Sequence, residues 1–136
     1  MIQVSVGIIF NDGKILLCQR TATARYPLKW EFPGGKIEKG ESPEDCLRRE
    51  LLEELGVTIE RWKLFHQQHA VYPDSGSFDV NYYLISAYNG TIVNNVFASV
   101  KWVLTKELVE YDILEGNREV VQKLLSMHDK TEANTR

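Results

Sequence analysis

Short apolar runs separated by turn-forming residues make up the N-terminal part of the chain. Residues 2–10 and Lys14–Gln19 are rich in β-branched and aliphatic side chains, and the segment Asn-Asp-Gly at residues 11–13 separates them. Because these three residue types tolerate positive φ angles, the pattern predicts an antiparallel hairpin. After a polar stretch, residues 30–32 predict a brief extended segment, and Pro-Gly-Gly at residues 33–35 predicts a tight loop.

A helix is predicted between Ser42 and Gly56. Ser42 can accept hydrogen bonds from free backbone N–H groups, Pro43 suits the first helical position, and Gly56 suits the end of a helix. Side chains three or four positions apart share a face of a helix. One face carries Leu47, Leu51 and Leu55, and another carries Glu50, Glu53 and Glu54. We therefore expect one buried face and one acidic face.

The rest of the chain predicts further strands and a final helix. Apolar and polar side chains alternate along residues 77–88, and a turn at residues 73–76 connects them to residues 62–72, which predicts a second hairpin. Ser99–Leu104 predicts another strand, and Asn117 can cap a last helix. The apolar residues of that helix are Val120, Val121, Leu124 and Leu125.

The order of these elements favours an α/β fold with a mixed β-sheet and helices on both of its faces. The length of 136 residues is near the commonest size of one domain, and 43% apolar and 26% charged residues are typical of a globular protein. We therefore predict a single domain at residues 1–128, followed by a polar C-terminal tail at residues 129–136.

Charge, cysteine content and hydropathy exclude several classes of protein. A net charge of -3 and an isoelectric point near 5.6 provide no basic face for a nucleic-acid polymer. Cys18 and Cys46 lack the spacing of metal ligands, so neither a zinc site nor a disulfide framework is predicted. The apolar run at residues 6–10 is too short to span a bilayer, and no signal-peptide pattern precedes it. We expect a cytoplasmic protein that does not bind a membrane.

The acidic face of the first predicted helix has the chemistry of a magnesium site. Cleavage of a diphosphate requires hard cations that neutralise the phosphate oxygens, and Mg²⁺ takes oxygen ligands. Three clustered glutamates supply such oxygens, and Glu41 and the glycine-rich loop precede them. The alternative interpretation is a solvated face on which the glutamates pair with Arg48 and Arg49.

Residues 35–57 read GKIEKGESPEDCLRRELLEELGV, which matches every position of the Nudix box. A match at all specified positions arises by chance with a probability on the order of 10⁻⁹ per window. The matching positions are Gly35, Glu41, Arg49, Glu50, Leu51, Glu53, Glu54, Gly56 and Val57. The chain therefore resembles the Nudix hydrolases. This resemblance argues against the interpretation of the glutamates as a merely solvated helix face.

Within that superfamily the chain is most similar to the MutT-type nucleoside triphosphate pyrophosphohydrolases. The similarity extends to the opening VSVGIIFNDGKILLCQR, the lead-in WEFPGGKIEKGESPE, the tripeptide YPD and the C-terminal EGNREVVQKL. It thus covers nearly the whole chain. The resemblance implies an α/β/α sandwich with a mixed β-sheet.

The resemblance also implies roles for the residues of the box. Glu50 and Glu54 would ligate Mg²⁺, for which Mn²⁺ is a substitute, and the Gly35 carbonyl would add a backbone ligand. Glu53 would help to hold the water molecules around the metal, and Arg49 would orient the carboxylates. Either Glu50 or Glu53 would act as the base that accepts a proton from the attacking water.

Four residues outside the box are candidates for binding the substrate. Arg20 resembles the phosphate-contacting arginine of the MutT group, and the alternative is a surface arginine with no ligand. Phe32 or Tyr72 can stack on a base, although aromatic residues in strands more often pack in the core. Asn117 aligns with the asparagine that reads the purine edge in MutT-type enzymes, and the alternative is a helix cap.

One feature departs from the MutT-type pattern. These enzymes commonly supply another metal-binding glutamate shortly before the tryptophan aligned with Trp102, whereas residues 96–101 contain no carboxylate. The number of metal ions and the identity of the base therefore stay open.

The resemblance implies hydrolysis of a nucleoside triphosphate to the monophosphate and pyrophosphate. We favour 8-oxo-dGTP as the substrate. Its hydrolysis would remove an oxidised nucleotide from the pool, a role related to DNA repair. The box binds only metal and phosphates, so CTP, dCTP or modified pyrimidine nucleotides are the alternative. A non-catalytic nucleotide-binding module on the same fold is the alternative of another class, and the complete set of glutamates argues against it. The protein can be a monomer or a homodimer.

Overall fold

The computed structural model describes residues 1–74 and 76–135, and for residues 129–135 it describes the backbone alone. The strands are β1 (Ile2–Asn11), β2 (Lys14–Gln19), β3 (Trp30–Glu31), β4 (Gly34–Lys36), β5 (Thr58–Tyr72), β6 (Gly76–Asn89) and β7 (Ser99–Leu104). The α-helices are α1 (Pro43–Leu55) and α2 (Arg118–Thr135), and 3₁₀ helices occupy Thr105–Glu110 and Glu115–Asn117.

The strands form one mixed sheet in the order β3-β2-β1-β6-β5, with β4 paired to β1 and β7 paired to β2. β1 runs parallel to β6, and the other pairs are antiparallel. β1 is almost continuously apolar because it lies between strands and beneath helices on both faces. Its central position puts the start of β1 next to the glycine-rich segment of β4, where Ser5 pairs with Gly35.

The two α-helices cover opposite faces of the sheet. Leu47, Leu51 and Leu55 of α1 are fully buried in one cluster that includes alternate residues of β1, β2 and β6. Val120 and Leu124 of α2 are buried in the other cluster, with the intervening residues of the same strands. Because successive strand residues point to opposite faces, this division confirms the predicted α/β/α sandwich.

Helix α1 has the ends that its sequence predicts. The Ser42 hydroxyl accepts a hydrogen bond from the Asp45 backbone N–H at 3.1 Å. Gly56 has φ of 71°, in the left-handed region, and donates its N–H to the Leu52 carbonyl. Glycine adopts this conformation without steric cost, so the chain leaves the helix and enters β5 two residues later.

Three details differ from the predicted elements. The predicted extended segment at residues 30–32 is a strand only at Trp30–Glu31. The predicted tight loop at residues 33–35 instead leads into β4, because the chain crosses at Phe32 and Pro33 from its pairing with β2 to its pairing with β1. β5 begins at Thr58 rather than at residue 62. Helix α2 continues to Thr135, and the side chains of the predicted polar tail at residues 129–136 lie outside the described residues. No helix of the described chain is long and apolar enough to cross a membrane.

Candidate active site

The glycine-rich segment of β4 packs directly against the carboxylates of α1. The Gly34 backbone N–H donates to Glu54 Oε1 at 3.1 Å. A Cβ atom at Gly35 would collide with the carboxylate of Glu50, and one at Gly34 would collide with the Ser5 carbonyl. These close approaches explain why glycine occupies both positions. The fold therefore brings Gly35, Glu50 and Glu54 together, as the sequence predicts.

Arg49 connects the acidic residues around this segment. Its Nε donates to Glu41 Oε2 at 2.7 Å and its Nη2 to Glu41 Oε1 at 3.0 Å, which is a bidentate pair. Its Nη1 donates to Glu50 at 2.9 Å and to Glu53 at 3.5 Å. The hydrogen bonds with Arg49 lower the pKa of Glu41 to about 2. The guanidinium of Arg49 is thus hydrogen-bonded to three carboxylates, those of Glu41, Glu50 and Glu53.

The carboxylates of Glu50 and Glu54, which face the glycine-rich segment, lie in an environment that disfavours their ionised form when no cation is bound. Burial and the neighbouring charge of Glu50 raise the pKa of Glu54 to about 8. Burial also raises the pKa of Glu50, although Arg49 opposes that shift. A cation beside buried carboxylates favours their ionised form. This pair of side chains therefore has the electrostatics of a cation site.

The predicted metal ligands do not form a closed cage by themselves. Among the side chains that the structure describes, at residues 1–74 and 76–128, no three His, Cys, Asp or Glu side chains are grouped to hold a metal ion. Glu53 is 59% exposed and contacts Arg49, and the Gly35 carbonyl accepts a weak hydrogen bond from Cys46 Sγ at 3.5 Å. Glu50 and Glu54 nevertheless fit a hard cation, because the absence of a side chain at Gly35 leaves room beside the Glu50 carboxylate. A cation such as Mg²⁺ binds few protein oxygens and keeps several water ligands.

A cavity of about 660 Å³ opens beside this acidic group. Its size lies within the usual range for small-molecule sites. All four candidate substrate residues line it together with two of the candidate metal ligands: Arg20, Phe32, Tyr72, Asn117, Gly35 and Glu54. The tertiary structure therefore brings residues from distant parts of the sequence to one site.

Arg20 reaches the cavity but is already paired there. Its Nη1 lies 3.1 Å from Glu31 Oε1, and its Nε donates to the Arg25 carbonyl at 2.7 Å. Burial raises the pKa of Glu31, and the charge of Arg20 opposes this shift. Sequence reasoning missed Glu31. A signal for Glu31 was present in the sequence, because successive side chains of a strand point to opposite faces of the sheet. Trp30 is apolar and packs in the cluster beneath α2, so Glu31 next to it points to the other face.

The two aromatic candidates differ in their exposure. Phe32 is 3% exposed and belongs to the core cluster beneath α2. Tyr72 is half-buried, and its ring lies 5.2 Å from that of Tyr26 and 5.6 Å from that of Phe78 between ring centroids. Stacking on a base needs an accessible aromatic face. Tyr72 is therefore the better placed of the two.

Asn117 is buried in the cavity wall, where it is 7% exposed. Its Oδ1 accepts a hydrogen bond from the Phe32 backbone N–H at 3.2 Å, and its Nδ2 donates to the Tyr82 hydroxyl at 2.9 Å. The side chain does not cap α2, because its oxygen faces Phe32 rather than the first turn of that helix. The cap interpretation is thus wrong, and the carboxamide instead connects the Phe32 backbone to the Tyr82 hydroxyl in the wall of the cavity.

Lys101 directly precedes Trp102, in the segment where the resemblance implies another metal-binding carboxylate. Its Nζ lies 5.5 Å from the centroid of the Trp30 ring, which belongs to the cluster beneath α2. The adjacent residues Val100 and Trp102 pack against the α1 cluster instead. The Lys101 side chain therefore points to the other face of the sheet from α1.

Comparison with known proteins assigns the chain to a family. The NUDIX domain family matches residues 1–124. The chain belongs to the Nudix family. It is 35% identical over 124 residues to the 8-oxo-dGTP diphosphatase of Escherichia coli strain K12, which covers 90% of this chain and 95% of the relative.

Two further relatives support the same assignment. The CTP pyrophosphohydrolase of Escherichia coli strain K12 is 32% identical over 130 residues, which covers 93% of each chain. A solved MutT structure, described for Aliivibrio salmonicida and Vibrio cholerae, is 32% identical with a TM-score of 0.79 and covers 93% of this chain and 98% of that one. The predicted resemblance to MutT-type Nudix hydrolases is therefore confirmed, and the protein is a hydrolase of the nucleotide pyrophosphohydrolase family.

In this Nudix hydrolase, we expect Arg49→Lys to lower kcat about 10- to 100-fold, the usual effect of removing a residue that orients ligands. Lysine keeps the charge but cannot make the bidentate contact with Glu41 while it also holds Glu50 and Glu53. Steady-state kinetics with Mg²⁺ measures the change. Arg48→Lys is the matched control, because Arg48 is exposed and lies over the Trp62 ring. Equal kinetics for the two variants would contradict the orienting role.

Proposed function

We propose that the protein hydrolyses nucleoside triphosphates to monophosphate and pyrophosphate with Mg²⁺, and that 8-oxo-dGTP is its preferred substrate. The observation that carries the proposal is the position of Asn117 in the wall of the cavity that also contains Glu54 and Gly35. A carboxamide and a carboxylate that line one cavity suit a base and a metal-bound phosphate chain, respectively. The relative named 8-oxo-dGTP diphosphatase supports the same substrate.

The proposal gives each part of the site a task. Glu50, Glu54 and the Gly35 carbonyl would hold the cation, which when bound neutralises phosphate charge. Arg49 keeps Glu50 in place through a 2.9 Å hydrogen bond. Either Glu50 or Glu53 accepts the proton of the attacking water. The protein thereby contributes positioning and electrostatics, which are the main requirements of phosphoryl chemistry.

Arg20 and Tyr72 complete the proposed substrate site. Arg20 can contact a phosphate with the guanidinium N–H groups that do not bond Glu31 and the Arg25 carbonyl. Tyr72 offers a half-buried ring for stacking on the base. Asn117 retains one N–H and one oxygen lone pair after its bonds to Phe32 and Tyr82, so it can both donate to and accept from a base edge.

CTP is the second candidate substrate, because the relative named CTP pyrophosphohydrolase matches this chain over a similar extent, 93% of its length. A carboxamide can pair with a cytosine edge as well as with a purine edge. The two candidates share the metal and phosphate chemistry and differ only in the base. The base preference therefore has to be measured directly.

A hydrolysis screen over normal, oxidised and methylated nucleoside triphosphates tests the proposal. We expect release of pyrophosphate and a kcat/KM for 8-oxo-dGTP at least about tenfold above those for dGTP and CTP, which corresponds to roughly 1.4 kcal/mol. The products are identified by chromatography, and activity is measured with Mg²⁺ and after chelation. A higher kcat/KM for CTP or dCTP would make the pyrimidine nucleotide the substrate.

We expect Asn117→Asp to cut kcat/KM for 8-oxo-dGTP by at least about tenfold, because aspartate cannot provide the amide donor. The variant should also lose about 1 to 3 kcal/mol of stability, since it places a buried carboxylate where Asn117 donates to Tyr82. Kinetics well below the melting temperature separates the two effects. Asn81→Asp is the matched control, because the Asn81 oxygen accepts a hydrogen bond from Gln67 that aspartate can keep. Wild-type kcat/KM in Asn117→Asp would remove Asn117 from base recognition.

A further inference from the structure

Gly116, the residue before Asn117, is contacted by three side chains of β5 and β6. Gln68 Nε2 donates to the Gly116 carbonyl at 2.8 Å, and the Tyr82 hydroxyl donates to the same carbonyl at 3.0 Å. The Tyr72 hydroxyl packs against Gly116 as well. A Cβ atom at Gly116 would collide with that hydroxyl, so glycine permits the close contact. We call this set of contacts the Gly116 clamp.

The clamp restricts how the Tyr82 hydroxyl can meet Asn117. A phenol has one hydrogen to donate, and Tyr82 directs it to the Gly116 carbonyl. Toward Asn117 the hydroxyl can then only accept, which requires the NH₂ group of Asn117 to face it, as observed at 2.9 Å. Burial raises the pKa of Tyr82, so its proton stays in place.

The other end of the carboxamide meets a group with the opposite requirement. The Phe32 backbone N–H can only donate, and it faces the Asn117 oxygen at 3.2 Å. A rotation of the carboxamide by 180° would set Oδ1 against the accepting Tyr82 hydroxyl and Nδ2 against the Phe32 N–H. Both contacts would become unfavourable in a buried environment, where an unpaired polar group is costly.

From these contacts we infer that Tyr82 is a specificity-determining positioning residue: it fixes which edge of the Asn117 carboxamide donates and which accepts toward the base. This inference rests on the proposed role of Asn117 in base recognition. Tyr82 is fully buried, and it acts through Asn117 rather than on the substrate. Without its hydroxyl, only the Phe32 N–H would select the orientation of the carboxamide, and the donor and acceptor presented to a base would be less well defined.

The Tyr82→Phe variant tests the inference. Phenylalanine keeps the packing of the ring, and Gln68 still bonds the Gly116 carbonyl. We expect KM for 8-oxo-dGTP to rise about tenfold while kcat stays within about twofold, and the preference for 8-oxo-dGTP over dGTP to fall by a similar factor. Tyr83→Phe is the matched control, because the Tyr83 hydroxyl donates to Glu44 on the opposite face of the sheet. That variant should keep the wild-type preference.

Two further measurements separate positioning from a general loss of structure. In an Asn117→Ala background, Tyr82→Phe should not change the nucleotide preference further, since its effect passes through the carboxamide. Hydrogen exchange of the Asn117 side-chain NH₂ group, followed by nuclear magnetic resonance, reports without any substrate how firmly this group is held in its hydrogen bond. We expect slow exchange in the wild type and in Tyr83→Phe, and exchange at least about tenfold faster in Tyr82→Phe.

The outcomes distinguish the inference from the proposed function. If the wild type shows no preference for 8-oxo-dGTP, the proposed substrate is wrong, and the exchange of the Asn117 NH₂ group alone decides the role of Tyr82. If the wild type has the preference and Tyr82→Phe keeps both it and the wild-type KM, the inference is overturned. Unchanged exchange in Tyr82→Phe would overturn it as well.

Discussion

We expect Glu54→Gln to lower kcat by roughly a thousandfold, a loss of about 4 kcal/mol in transition-state stabilisation. Glutamine has nearly the same shape as glutamate, and its amide oxygen can still accept the hydrogen bond from Gly34. What the variant loses is the negative charge beside the cavity. Steady-state kinetics over a range of Mg²⁺ concentrations measures the effect, and excess Mg²⁺ should not restore the wild-type rate.

The stability of this variant should not fall. Burial raises the pKa of Glu54 to about 8, so a neutral amide at this position avoids the cost of a buried charge. Glu44→Gln is the matched control on the same helix, because Glu44 accepts a hydrogen bond from Tyr83 at the other end of α1. We expect wild-type kinetics for that control. Near-wild-type turnover of Glu54→Gln in Mg²⁺ would show that Glu54 does not hold the metal.

We expect Leu51→Ala to lower the free energy of unfolding by about 2 to 5 kcal/mol, the range for a leucine truncated in a core. Leu51 is fully buried in the cluster between α1 and the sheet. Its Cδ1 lies 2.9 Å from the position that a Cβ atom would take at Gly7 of β1. The packed sheet leaves little room to close the cavity. Urea denaturation monitored by circular dichroism measures the loss.

The neighbouring leucine supplies the control for this variant. Leu52 is 54% exposed on the same helix, so Leu52→Ala should change the free energy of unfolding by no more than about 0.5 kcal/mol. At temperatures where Leu51→Ala stays folded, its kcat should be close to that of the wild type. Equal destabilisation by the two substitutions would mean that the leucine faces of α1 are assigned incorrectly.

Local signals in the sequence determined helix α1 and the proximity of its acidic face to the glycine-rich loop. The serine cap, the glycine at the C-terminal end and the leucine period act within a few residues of one another, so no tertiary partner is needed to predict the helix. The acidic face and the glycine-rich loop are likewise close in sequence. For this reason the predicted proximity of Gly35, Glu50 and Glu54 agrees with the structure.

Only the tertiary structure decided the surroundings of the substrate candidates. The parallel pairing of β1 with β6 joins segments more than seventy positions apart, for example Val6 with Tyr82, and no local pattern encodes it. The same pairing places Tyr82 beside Asn117, which is 35 positions away from it. A helix cap and a cavity-wall carboxamide have the same local sequence, so only the bonds to Tyr82 and Phe32 distinguish them.

The sequence by itself thus determined which residues meet through local spacing, namely the glutamates of α1 and the glycines that face them. It did not determine the Arg20–Glu31 pair, the direction of Lys101 or the orientation of the Asn117 carboxamide. Hydrogen bonds and ion pairs in a folded protein depend on distance in space, and residues far apart in sequence are brought to hydrogen-bonding distance only when the sheet assembles. The proposed metal ligands are therefore predictable from sequence spacing, whereas the surroundings of the proposed base-binding residues depend on strand pairing.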